Sequence, residues 1–69
     1  MREVKYKKYR IMATAERTLI LAHWRATYEV RQQQRLVSQV TGTCPGPFNH
    51  CEEAEEAAIK AGKIWVDQQ

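Results

Sequence analysis

The chain has few of the features that mark a membrane protein or a secreted scaffold. Its longest apolar run, at positions 19–22, has four residues, whereas a helix that crosses a bilayer needs about 20. The first ten residues are mostly charged or aromatic and do not lead into the apolar stretch of a secretory signal. Two cysteines are too few for the disulfide framework of a small secreted domain. We therefore expect a soluble intracellular protein with no membrane segment and with free thiols.

The signatures of common catalytic sites are also missing. The sequence has no glycine-rich phosphate loop, no internal repeat and no serine set beside a plausible histidine and acid. Cys51 is the one candidate nucleophile, with His23 or His50 as its base. Side chains of adjacent residues on a helix point about 100° apart, so His50 and Cys51 would not face each other. The sequence predicts that this protein is not an enzyme.

Positive charge is concentrated at the start of the chain. Among its 69 residues, 11 are Lys or Arg and 8 are Asp or Glu, which gives a net charge of +3. Residues 1–10 carry a net charge of +4, residues 11–41 carry +2, and residues 42–69 carry −3. Such segregation affects the choice of partner more than the fold. The basic end favours phosphates or an acidic protein surface, and the acidic end disfavours non-specific attachment to nucleic acid.

The first half of the chain predicts a strand followed by a helix. Residues 1–12 form a basic extended segment, strand-like from residue 3 onward, with an irregularity at Lys7–Lys8 that would be a bulge. Apolar residues at spacings of three and four then predict a helix from Thr14 to about Gln32. Beyond that point the apolar face shifts, so the helix either continues between two partners or ends near residues 32–34. The β-branched residues of segment 36–41 predict a second strand.

The second half predicts a loop, a helix and a short strand. Segment 42–49 is a loop rich in proline and glycine, and Asn49 is placed to cap the next helix. Gly62 is placed to end that helix, and residues 64–66 would form a final strand. The whole chain, residues 1–69, is therefore expected to be one small α+β domain of order strand, helix, strand, helix, strand. The alternative is a mostly helical protein with an extended basic N-terminal arm.

Cys44, His50 and Cys51 form the one cluster of possible metal ligands. Thiolates and imidazole bind zinc, and a fourth ligand would have to be His23 or an acid such as Glu53. The spacing lacks the paired cysteines of a structural zinc site. We expect no metal and no cofactor here, only two small buried side chains and a solvent-facing histidine. Zinc and a regulatory disulfide between the two cysteines are the alternatives.

The basic segment near the N-terminus is the main candidate for partner binding. Interleaved tyrosines and cations suit single-stranded nucleic acid, with rings stacked on bases and cations on phosphates. They equally suit an acidic segment of a protein, which could add to the sheet as a strand. A third interpretation is an edge strand whose tyrosines belong to the core. The predicted partner-binding residues are Val4, Lys5, Tyr6, Lys7, Lys8, Tyr9, Arg10 and Ile11.

We interpret two further groups of residues as structural. Arg25, Arg31 and Arg35 could suggest a DNA-recognition helix, but the shift of the apolar face and the missing three-helix pattern argue against it. A solvated helix face is the preferred interpretation. Aromatic residues at helical spacing usually belong to the core, and this applies to Trp24, Tyr28 and, separately, Trp65.

Taken together, the chain resembles the small regulators of host RNA polymerase that lytic bacteriophages, including those of Xanthomonas, encode. The resemblance is general and rests on short length, the basic start from Arg2 to Ile11 and the lack of a catalytic signature. It implies binding near the N-terminus of the beta-prime subunit and the beta flap of RNA polymerase, in the cytoplasm of the host bacterium. It also implies inhibition of initiation by sigma displacement and suppression of termination. The alternative is a small nucleic-acid-binding regulator.

Overall fold

The computed structural model describes residues 2–18, 23–32 and 38–69 and shows a four-stranded antiparallel sheet with one C-terminal helix packed on it. The small α+β class is therefore confirmed. The predicted alternation of strands and helices is wrong, as is the mostly helical alternative, because the described helix lies only at the end of the chain. The elements are β1 (Arg2–Tyr6), β2 (Tyr9–Arg17), β3 (Trp24–Gln32), β4 (Ser38–Phe48) and α1 (Cys51–Asp67).

The helix predicted from Thr14 to Gln32 is wrong, because residues 14–17 lie in β2 and residues 24–32 lie in β3. Ala26 and Val30 are fully buried, and Trp24 and Tyr28 pack against the same core. These four residues follow the period of two that is typical of a strand. A spacing of four, as between Trp24 and Tyr28, fits both this period and the helical one, which explains the error. Positions 19–22 of the predicted helix lie outside the described residues.

The predicted irregularity at Lys7–Lys8 is a tight turn between two strands rather than a bulge. Tyr6 and Tyr9 are opposite each other in the β1–β2 pairing, so only two residues join the strands. Lys7 has a φ of 54°, in the left-handed region that disfavours residues other than glycine. Its ammonium group donates a hydrogen bond of 2.6 Å to Asp67 at the end of α1, which helps to offset that cost.

β4 includes most of the segment that was predicted to be a loop. The predicted strand is confirmed from residue 38 to residue 41, and residues 36–37 lie outside the described part. The predicted loop 42–49 is wrong up to Phe48, where β4 ends. β4 is an edge strand, where proline is tolerated because an outward N–H has no partner to lose. Its pairing with β3 becomes irregular beyond Cys44, where Gly46 takes a φ of 80°.

The predicted second helix is confirmed, with different ends. It begins at Cys51 after His50, and no side chain caps it, so the predicted cap at Asn49 is wrong. Small residues on one face let the helix lie close to the sheet. The core consists of Ile11, Ala13, Ala26 and Val30 from the sheet and of Ala54, Ala58, Ile59 and Val66 from the helix. In this described part of the chain, no helix is long and apolar enough to span a membrane.

Gly62 does not end the helix, and the predicted strand at residues 64–66 is wrong. The helix continues to Asp67. Gly62 is buried against β2, and a Cβ atom placed on it would lie 2.6 Å from Cγ2 of Ile11. The glycine therefore permits close packing of helix on sheet. A glycine with this role looks the same in sequence as a terminator, which explains the wrong prediction.

Candidate functional site

No element within residues 2–18, 23–32 and 38–69 packs on the face of the sheet that points away from α1, and we call this face the open face. Side chains alternate along each strand, so half of them point to this side. A shallow groove of about 470 Å³ runs over it, and four of the nine residues that line this groove are threonines of β2, β3 and β4. The open face carries Glu3, Lys5, Arg10, Met12, Thr14, Glu16, Arg25, Thr27, Glu29, Arg31, Thr41 and Thr43. It is thus a polar, charged surface.

Three cations lie side by side at one end of the open face. Lys5 is opposite Arg10 in the β1–β2 pairing, and Arg10 is opposite Arg31 in the β2–β3 pairing. We call these three residues the cation row. Neighbouring strands are about 4.8 Å apart, so the row spans about 10 Å. Like charges directly opposite each other destabilise a sheet, and the fold accepts that cost twice here.

Two acids partly balance the cation row. Oε1 of Glu3 lies 3.1 Å from Nε of Arg10, and Nε of Arg31 donates a hydrogen bond of 2.6 Å to Oε1 of Glu29. Arg31 donates from Nε, one of the five N–H donors of its guanidinium group, whereas Nε of Arg10 faces Glu3 in an ion pair without a hydrogen bond. Both arginines therefore retain the capacity to bind a further anion. Lys5 is exposed and forms no ion pair within residues 2–18, 23–32 and 38–69.

The other end of the open face is closer to neutral, so the positive potential is localised. There Arg25 and Glu16 are opposite each other and form an exposed ion pair of 3.2 Å. Over the whole chain, residues 1–48 carry nine cations against three acids, a net charge of +6. Residues 49–69 carry two cations against five acids, a net charge of −3. The charge segregation along the chain therefore gives a basic sheet and an acidic helix packed on one of its faces.

The structure divides the predicted partner-binding segment between the two faces of the sheet. Val4, Tyr6, Tyr9 and Ile11 turn toward α1: Ile11 is fully buried, and Tyr9 packs edge-on against Trp65 with ring centroids 5.6 Å apart. Lys5 and Arg10 lie on the open face. No aromatic side chain of a described strand residue joins them there. The rings of Tyr6 and Tyr9 pack on the helix side of the sheet, so they do not lie beside Lys5 and Arg10.

Lys7 fastens the β1–β2 turn to the end of α1. Its ammonium and the hydroxyl of Tyr6 both donate hydrogen bonds to Oδ1 of Asp67, at 2.6 and 2.9 Å. The hydrogen bonds from Lys7 and then Tyr6 lower the pKa of Asp67, and the same bonds raise the pKa of both donors. Lys7 has a structural role in this clamp. Lys8, the other turn residue, is exposed.

The structure builds no metal centre from Cys44, His50 and Cys51. In the described ranges, no group of three His, Cys, Asp or Glu side chains is placed to hold a metal ion. Cys44 packs against the core, and burial raises the pKa of its thiol, which disfavours the thiolate that zinc binding requires. Cys51 opens α1, and both cysteines are free thiols. Neither the zinc alternative nor the disulfide alternative gains support.

Sequence reasoning missed Arg31, which completes the cation row. It placed Arg31 with Arg25 and Arg35 on a solvated helix face. Arg25 and Arg31 lie instead on the open face of β3, and Arg35 is outside the described residues. The signal that could have shown this is the alternation of polar residues 25, 27, 29 and 31 with the apolar or aromatic residues between them.

A family model matches residues 1–69, the whole length of the chain. The chain belongs to that family. It is described as a domain of unknown function, DUF6566. Among curated proteins and among solved structures, none matches the chain. Family membership therefore assigns no activity, and the function has to be argued from the chemistry of the open face.

Proposed function

We propose that this chain is a non-catalytic binding module that docks on an acidic surface of a large protein assembly. The observation that carries the proposal is the cation row, with Lys5, Arg10 and Arg31 on three adjacent strands of an uncovered face. Their mutual repulsion lowers the stability of the free protein, and an anionic partner would relieve it. A standard interface covers about 800 Å² on each side. The chain exposes 4942 Å² in all, so one face can supply that area.

In its most specific form, the target is the RNA polymerase of a host bacterium, in the cytoplasm. The protein would contact the beta-prime N-terminal region and the beta flap, inhibit initiation by sigma displacement and suppress termination. The resemblance to phage-encoded regulators supports this choice of target. The structure supports its chemistry, since a basic face complements an acidic protein surface and complementary charge speeds encounter.

A small nucleic-acid-binding regulator is the second candidate. The cation row lies beside the threonines of the open face, and Arg, Lys and Thr side chains all bind phosphate oxygens. Binding to single strands also uses aromatic rings as stacking platforms. Tyr6 and Tyr9 are engaged on the helix side and do not provide one. We therefore favour the protein partner.

A pair of charge-matched variants tests the role of the cation row. The first variant changes Lys5, Arg10 and Arg31 to Gln. The control removes the same three charges from the groove between β1 and α1, at Arg2, Lys60 and Lys63. The cation-row variant should melt at or slightly above the wild-type temperature, because it removes the repulsion between like charges. The control should melt close to the wild type, because its three side chains line a surface groove. Each tagged protein is then used to retain purified bacterial RNA polymerase, with and without nuclease.

We expect the wild type and the control to retain polymerase after nuclease treatment and the cation-row variant to lose it. Equal loss in both variants would refute the cation row as the binding site, because net charge alone would explain the result. Retention that disappears with nuclease would favour the nucleic-acid-binding regulator. If no tagged protein retains polymerase, RNA polymerase is the wrong target.

A further inference from the structure

The two edges of the sheet differ sharply in charge. The strand order makes β1 and β4 the edge strands, each with a row of unpaired backbone groups. β1 carries three charged residues among its five, and charge on an edge discourages pairing with another strand. β4 has 11 residues, SQVTGTCPGPF, and none is charged. The β4 edge is thus the one that lacks this protection.

Five residues of β4 form a regular stretch of strand whose outer edge can pair with another strand. From Val40 to Cys44, β4 pairs with β3 without interruption, and the register shifts on both sides of this stretch. Pro45 follows directly and has no N–H to donate to a neighbouring strand. We call residues 40–44 the β4 window. Its centre is Gly42.

We propose that the β4 window pairs antiparallel with the β4 window of a second copy of this chain. The two-fold axis passes beside Gly42 and joins the two sheets into one of eight strands, with both helices on the same side. Val40 then lies opposite Cys44 of the second copy, and Thr41 lies opposite Thr43 of the second copy. Apolar and Thr–Thr pairs of this kind stabilise antiparallel strands.

The side chains of the β4 window are arranged symmetrically about Gly42, so the window is complementary to a second copy of itself. A two-fold interface needs a surface that matches itself. On one side of the window, Thr41 and Thr43 are exposed and equidistant from Gly42. On the other side, Val40 and Cys44 are half-buried, equidistant from Gly42, and packed against the core. Pairing therefore matches like with like and brings no charge of one copy against a charge of the other.

Charge elsewhere on the sheet directs a second copy to this edge. Residues 1–48 carry a net charge of +6, so two copies repel each other across most sheet surfaces. The uncharged β4 window avoids that repulsion. The dimer leaves both cation rows on the same open face, and it does not depend on what the open face binds.

Sedimentation equilibrium over a concentration series tests the proposal. A five-residue pairing is well below a standard interface, so association should be weak and dependent on concentration. The wild type should move from a mass of 8.1 kDa toward twice that mass as concentration rises. A wild type that stays at 8.1 kDa at every concentration would overturn the proposal. The same result is expected if the β4 window pairs with a strand of a different protein, so that outcome also counts against the dimer.

Two double variants test the register of the pairing. T41K/T43K places lysine opposite lysine twice and should remain monomeric, whereas T41K/T43E places lysine opposite glutamate twice and should dimerise. Q68K/Q69K adds the same two charges outside the sheet and should dimerise like the wild type. Because both threonines are exposed on an edge strand, the variants should keep the wild-type circular dichroism spectrum.

The outcome with T41K/T43K decides whether the β4 window is the interface. Dimerisation of this variant at wild-type concentrations would place the interface elsewhere. Loss of the dimer in Q68K/Q69K would show that net charge, and not the β4 window, controls association. If neither T41K/T43E nor T41K/T43K forms the dimer, the register centred on Gly42 is rejected.

Discussion

Replacing Gly62 with alanine has two opposite effects on the stability of the fold: it improves helix propensity, and it adds a methyl group against the core. Gly62 lies in the interior of α1, where alanine is favoured over glycine by about 1 kcal/mol. The new Cβ would lie 2.6 Å from Cγ2 of Ile11 and 3.2 Å from both Cγ1 and Cδ1 of that residue. Ile11 is fully buried in the core, so it cannot relieve the contact by turning into solvent.

The steric cost should exceed the gain in helix propensity. Overpacking a core by one methyl group costs about 1–3 kcal/mol, and the contact here involves three atoms of one fully buried side chain. We expect the free energy of unfolding of Gly62→Ala to fall by about 1 kcal/mol after the propensity gain is subtracted. For a domain of this size, that loss lowers the melting temperature by about 4–8 °C.

A double-mutant cycle of Gly62→Ala and Ile11→Ala, measured by urea unfolding, separates the contact between these residues from other causes of a lower free energy of unfolding. Ile11→Ala alone should cost about 2–5 kcal/mol. In the double variant the methyl group added at position 62 occupies part of the vacated space, so the two losses should sum to more than the observed loss. Ala61→Gly, one position away, measures the helix propensity without this contact. A stable Gly62→Ala protein, or strictly additive losses, would refute the close packing of α1 on β2.

Two further predictions concern the clamp at Asp67 and the irregular end of β4. Lys7 and Tyr6 lower the pKa of Asp67, so its charged form stabilises the fold above the ordinary carboxyl pKa, and this contribution is lost as pH falls through the lowered value. Asp67→Asn should therefore melt below the wild type at neutral pH, with the gap closing in strong acid, as thermal melts across pH will show. Gly46→Ala should destabilise the fold by about 1–2 kcal/mol in chemical denaturation, because Gly46 has a φ of 80° and its Cβ would lie 2.6 Å from the backbone nitrogen of Phe48. A wild-type midpoint for Gly46→Ala would contradict that geometry.

Local signals in the sequence were sufficient for α1 and for the start of β4. Acidic residues open the helix at Glu52 and Glu53, and its buried alanines recur at helical spacing, so both its existence and its inner face could be predicted. The β-branched segment that ends at Thr41 likewise indicates a strand. These signals lie within one element and need no knowledge of the rest of the fold.

The extended segment from residue 3 to residue 12 was predicted and contains most of β1 and the start of β2. The rest of β2 and the whole of β3 could not be identified, because their inward residues are small or widely spaced. In β2, Ala13 and Ala15 alternate with polar residues, but alanine gives little hydrophobic contrast in either period. In β3, the spacing of Trp24 and Tyr28 fits a helix as well as a strand. The cation row depends on the pairing register of three strands, which no local pattern specifies. It could be found only once the strands were placed beside one another.

The strand order has a consequence for how the chain folds. Each strand pairs with the one that precedes or follows it in the sequence, so the sheet can grow in chain order from pairings of low sequence separation. Hydrogen bonds between residues far apart in sequence join the β1–β2 turn to the end of α1, through Tyr6, Lys7 and Asp67. Folding rates rise as contacts become more local, so we expect the meander to assemble rapidly. In the folded chain the last residue of α1 contacts the β1–β2 turn, so the end of the sequence is tied to its beginning.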